Sequence, residues 1–173
     1  MCSKSCGIRK ENKTVMTEFY IPNREFIKNL AFNTGTSSTP VFTPICTTSE
    51  IGVDLDLTTQ DFAVFCDAIQ RKIVTGASVT LSGSIKLDMN NSAEKVLLDA
   101  VHTLIADGEI AQFNNQTVQF DLVTDVNNGV LEYTTYQVPV TYTLSDLGGA
   151  AEDVSEFSFE MSVVGKGTVV TSA

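Results

Sequence analysis

The sequence contains a single imidazole, His102, so histidine-based general acid or base chemistry falls to that residue alone. Asp99 lies three residues before it, one helical turn away, and His102 sits at the margin of an apolar stripe. No Ser or Cys nucleophile stands in a recognisable motif, so His102 reads as a boundary or surface residue. Asp54, Asp56 and Asp61 come next, because paired carboxylates can act as acid and base across a cleft. They alternate with apolar residues, nothing near them marks a substrate pocket, and they read as a solvated strand face.

Two similar tetrapeptides, Asp88-Met89-Asn90-Asn91 and Asp125-Val126-Asn127-Asn128, have the oxygen ligands of a calcium loop. Both lack the full spacing and closing bidentate Glu of an EF-hand. Asx side chains also bond their own backbone in turns and helix caps, and these two are read that way. Gly148-Gly149 and Gly165-Lys166-Gly167 do not fit phosphate-binding loops. Cys2, Cys6, Cys46 and Cys66 form no paired CxxC, and one His completes no zinc set. Cys46 and Cys66 sit in apolar runs and are expected to behave as small core residues. For Cys2 and Cys6 a metal or redox role stays open. The expectation is a chain that is not an enzyme and has no catalytic, cofactor or metal site.

Charge narrows the partners. The sequence has 21 acidic against 11 basic residues, a net charge of −10. Residues 1–15 hold Lys4, Arg9, Lys10 and Lys13 against Glu11, a charge of +3, which leaves −13 on the remainder. So acidic a body repels phosphate backbones and argues against sequence-reading DNA or RNA binding. No stretch approaches the roughly 20 apolar residues that span a bilayer, and residues 1–15 lack the apolar core of a secretory signal. With 43% hydrophobic residues, 173 residues suffice for one core.

The elements that would position these residues are mostly strands. Residues 1–15 show no periodicity and read as a basic arm, to be ordered by assembly or, with Met16 an equally natural start, to lie outside the translated chain. Residues 16–173 form one β domain. Phe26 to Phe32 reads as a strand, residues 34–40 as a loop, and Val41 to Thr48 as a strand that Pro44 confines to an edge or bulge. Ile51, Val53, Leu55 and Leu57 alternate with Gly52, Asp54, Asp56 and Thr58, which predicts one buried and one wet, acidic face. Residues 62–70 fit a strand or a helix. The strand is preferred to about Asp67, followed by a polar loop through Gln70, Arg71 and Lys72. Val79, Leu81 and Ile85 mark the next strand.

One helix is expected over about residues 92–107. Asn91 or Ser92 caps it, Glu94 completes a capping box, and Gly108 stops it. Its stripe is Val96, Leu97, Ala100, Val101, Leu104 and Ile105. Thr117–Thr124 and Val130–Tyr136 flank an Asn128-Gly129 hairpin turn. Two further alternating runs follow, Val138–Leu144 and Phe157–Val163, separated by a loop over 147–153. The whole is mainly β, a β-sandwich or barrel with one packed α-helix, without internal repeats.

The runs VFTPICTTSEIGVDLDLTTQDFAVFCD and GASVTLSGSIKLD, then the helix, then FSFEMSVVGKG resemble the major tail tube proteins of siphophages over about residues 26–168. That resemblance implies a structural virion protein, assembled in the host cytoplasm into hexameric rings stacked as the tail tube. It also implies a tape measure protein and tail end proteins as partners, with DNA passing through unbound during ejection. A carboxylate-lined lumen would repel DNA, and Asp54 and Asp56 are the candidate lumen acids. Asp67, Gln70, Arg71 and Lys72 form a candidate inter-subunit loop, and Lys4, Arg9, Lys10 and Lys13 a candidate inter-ring arm. A tube protein of a contractile injection system or bacteriocin, or an immunoglobulin-like decoration or adhesion module, are the alternatives.

Overall fold

Period-two alternation of apolar and polar residues dictates strands, and in the computed structural model most of the chain takes that form. The structure describes residues 21, 23–62, 71–114, 116–148 and 155–170. In chain order the elements are α1 (Asn23–Phe26), β1 (Ile27–Asn33), β2 (Phe42–Pro44), β3 (Thr48–Phe62), β4 (Arg71–Lys86), α2 (Ser92–Asp107), α3 (Ala111–Asn114), β5 (Gln116–Asn127), β6 (Val130–Gly148), β7 (Glu156–Val163) and β8 (Thr168–Val170). The strands form one antiparallel sheet in the order β2-β1-β5-β6-β7-β4-β3, with β8 added to β6. The sheet folds over so that β1 and β3, near its two ends, wall opposite sides of one cavity. Leu30, Phe32, Leu81, Val118, Val140, Tyr142, Phe159 and Met161 fill the interior. This is the expected mainly-β fold with a packed helix.

Several local readings carry over directly. Pro44 ends β2, the terminal strand of the order, where its missing N–H costs no ladder bond. Asn128 and Gly129 take positive φ of 51° and 80° and join β5 to β6 in the tight turn that their types demand. Asn91 caps α2 by accepting from the Ala93 N–H at 2.9 Å, and Gly108, at φ 71°, closes it. Asp88 accepts from the Asn90 N–H at 2.9 Å and Asp125 from the Val126 N–H at 2.7 Å, so both Asx tetrapeptides do turn chemistry.

Other expectations are corrected. Arg71 and Lys72 are not in a loop: β4 begins at Arg71, with Lys72 opposite Asp61 in the ladder. Asp67, Gln70 and Cys66 lie outside the described residues. Cys46 is exposed, because Ile45 turns into the core at the break after Pro44 and the next side chain must face outward. The two strands expected over 130–144 are one. The Pro139 carbonyl accepts from Val164 at 3.0 Å, so its missing N–H faces the point where β6 exchanges β8 for β7 as neighbour. The helical stripe is buried at Leu97 and Ala100, but Leu104 and Ile105, at its far end, are exposed, Ile105 by 78%. Helix α2 packs on β1 and the three-residue β2, and its last turns overhang that narrow support.

Candidate functional site: a protruding two-stranded ribbon

Strands β3 and β4 are far longer than the five or six residues usual in a domain of this size. β4 has β7 as its second neighbour only from Thr80 to Lys86. Residues 71–79 of β4 and 55–62 of β3 therefore pair only with each other among the described residues. They form a ribbon that extends about 30 Å beyond the body. The edge of β3 away from β4 carries no ladder partner among the described residues.

The register sorts the ribbon into two faces. Leu55 lies opposite Val79 and Leu57 opposite Ala77, while Asp54 faces Thr80 and Asp56 faces Ser78. A shift between Thr58 and Thr59 inserts Thr75, whose hydroxyl donates to the Thr58 carbonyl at 3.3 Å. Beyond it Val74 rejoins the leucine face and Ile73 the acid face. The expectation that Leu55 and Leu57 are buried is overturned. They are 63% and 48% exposed, and Val74 is 59% exposed. Ile51 and Val53, four and two residues before Leu55 on the same face, pack against the core. Alternation continues, but the second layer has run out.

That arrangement is unsatisfactory for a lone chain. A two-stranded ribbon is marginal in water, and a long apolar edge strand is a template for pairing. The Lys72–Asp61 ion pair, at 4.0 Å with both side chains well exposed, adds little. Asp54 and Asp56 are exposed on the opposite face, as their spacing predicts. The described residues bring them together with Ser78 and Thr80, not with Arg71 or Lys72.

His102 is exposed on α2. No group of three or more His, Cys, Asp or Glu that could hold a metal occurs among the described residues, and no described helix is long and apolar enough to cross a membrane. One buried acid stands out. Glu94 is fully buried and accepts hydrogen bonds from the Thr47 hydroxyl and the Asp88 N–H. The capping box is thus redirected: Asn91 N–H donates to Asp88 O at 2.9 Å, and Glu94 ties the helix start to two flanking segments. Lys4, Arg9, Lys10 and Lys13 lie outside the described residues.

No protein-family model and no curated protein sequence matches the chain. Solved structures do. The tail of the empty gene transfer agent particle, of C6 symmetry, matches with a TM-score of 0.54 and 13% identity, over 83% of this chain and 96% of that one. The SPP1 tail tube matches at 0.52 and 13%, over 83% and 75%. A chain of the PVC sheath–tube complex, an extracellular contractile injection system, matches at 0.50 and 12%, over 95% and 100%. The chain has the β fold of tail tube proteins, and that fold is common to these machines.

Proposed function

We propose that the chain is a structural subunit that self-associates through the β3–β4 ribbon into hexameric rings, stacked as a bacteriophage tail tube through which DNA is ejected. The observation that carries this reading is the ribbon's leucine face: Leu55, Leu57 and Val74 are exposed, yet they continue the register of the core residues Ile51 and Val53. A neighbouring copy laid against that face and along the edge of β3 that has no ladder partner among the described residues supplies the missing layer and covers the edge. Repeating one such head-to-tail contact closes a ring, and a rise between rings gives a tube. The six-fold symmetry of the gene transfer agent tail supports six copies per ring. Asp54 and Asp56, on the opposite face, would then line the lumen and repel DNA. A tape measure protein filling the lumen before DNA enters, tail end proteins at its ends, assembly in the host cytoplasm and an inter-ring role for the basic arm belong to the same proposal.

A second reading, the tube of a contractile injection system, is favoured by the likeness to the PVC complex. Electron microscopy of the purified protein tests both. Hollow tubes of stacked rings support self-assembly, whereas particles that stay monomeric at high concentration, as a decoration or adhesion module would, count against it. Co-purification of a sheath protein on the tube separates the contractile machine from the non-contractile tail.

A further inference from the structure

The apolar stripe of α2 loses cover along its length in the same way as the leucine face of the ribbon. Leu97 is buried, Val101 one turn later is half-buried, and Leu104 and Ile105 are exposed, Ile105 most of all. Spaced at i, i+4, i+7 and i+8, these residues share one face of the helix. They continue an apolar surface past β1 and β2, the strands on which α2 packs. Three exposed acids crowd the same end: Asp99, Glu109 and Asp107, the last three residues on from Leu104 and so on its face. The last turn holds no basic residue, and the sequence has none between Lys95 and Lys166. Acids at a helix C-terminus add to the negative end of its dipole, and the two together attract a cation.

We propose that the C-terminal half of α2 is the seat for the β3–β4 ribbon of a second copy of this chain, with Leu104 and Ile105 against the neighbour's leucine face and Asp107 paired with the neighbour's Lys72. The assignment rests on the reading of the ribbon as the contact between copies. A head-to-tail contact joins two different patches of one chain, and the ribbon supplies the first. Its leucine face carries an order that the helix matches. Toward the ribbon's end Leu57, then Val74 opposite Thr59, then Lys72 opposite Asp61 fall on that face. Along the helix Val101, then Leu104 with Ile105, then Asp107 follow in the same order. The three levels span about 14 Å on the strand and about 9 Å on the helix, and the flexible four-carbon stem of Lys72 takes up the difference. Charge is complementary as well, because β4 begins with Arg71 and Lys72 and the helix ends among acids. Lys72 is well exposed and holds Asp61 only at 4.0 Å, a weak pair that can be shared with a second carboxylate. Contact removes from water two apolar surfaces that the single chain leaves wet.

Sedimentation velocity of full-length variants with parental circular dichroism tests the seat. Ile105→Asp is expected to stay monomeric at concentrations where the parent assembles. Lys72→Glu and Asp107→Lys should each raise the concentration needed for assembly about tenfold, and the two together should return it to within about threefold of the parent. Parental assembly of Ile105→Asp, or a double reversal no better than the single ones, overturns the proposal. Leu55→Asp/Leu57→Asp judges the ribbon separately. If that variant is monomeric while Ile105→Asp assembles, the ribbon stands and the helix is not its seat. If both assemble as the parent does, the ribbon reading itself fails and the seat with it.

Discussion

The Glu94 carboxylate, buried at the third position of α2, accepts a hydrogen bond from the hydroxyl of Thr47 in the crossing between β2 and β3. The same carboxylate takes the Asp88 N–H, so one side chain fastens the helix to both ends of the β3–β4 hairpin. Replacing Glu94 by Ala leaves those donors without their acceptor, and a loss of about 2–4 kcal/mol is expected. Glu94→Gln keeps one acceptor oxygen and is expected to cost about half as much. Denaturant unfolding with an unchanged m-value checks the pair. Equal stability of Glu94→Ala and the parent would show the latch to be inert.

Tyr142 is 2% exposed, its ring packs against Phe113 at 5.0 Å between centroids, and its hydroxyl has no hydrogen-bond partner among the described residues. Burial pushes its pKa up from 10.0 to about 12. Below pH 10 the phenol is neutral whether the chain is folded or not. Above pH 10 the unfolded chain ionises first, so stability falls as pH rises toward 12, by about 3 kcal/mol at most. Tyr142→Phe is expected to match or slightly exceed the parent at pH 7 and to lose this alkaline component. An unchanged slope between pH 10 and 12 in the variant would assign the alkaline loss elsewhere.

Gly83 is where β3, β4 and the Phe159 ring come closest. A Cβ there would lie 2.2 Å from the Glu50 carbonyl oxygen and 2.7 Å from Phe159 Cζ. Gly83→Ala must separate the strands or move the ring, with an expected cost of at least about 2 kcal/mol in thermal or denaturant unfolding.

How much of this is legible in the sequence depends on what each signal measures. Asn91, Gly108 and Asn128-Gly129 are local devices whose residue types dictate backbone geometry, and each stands where it was expected. Alternation reports that a strand has two faces, not how far the second layer extends. Hence Leu55 and Leu57 read as buried and are exposed, while Leu81 and Ile85 are buried as read. Cys46 is exposed despite its apolar neighbours, because an apolar neighbourhood says nothing of which side of the break after Pro44 a residue takes. The leucine face of the ribbon was foreshadowed only by the length of its alternation, which outruns what one small domain can cover.

The acid face has its own expectation. Asp54→Asn/Asp56→Asn changes exposed groups opposite Thr80 and Ser78, so stability should shift by no more than about 0.5 kcal/mol. If these carboxylates line a DNA conduit, particles carrying the variant eject DNA more slowly. Ejection at the parental rate would remove Asp54 and Asp56 from the lumen.

The central claim is that the leucine face of the ribbon is the contact between copies. Sedimentation velocity of the parent and of Leu55→Asp/Leu57→Asp, each purified at the same concentration, tests it most directly. Both positions are largely exposed in the single chain, so the variant should fold with parental circular dichroism. The parent is expected to sediment as rings and longer tubes, and the variant as a monomer. Assembly of the folded variant to the same species as the parent would contradict the account.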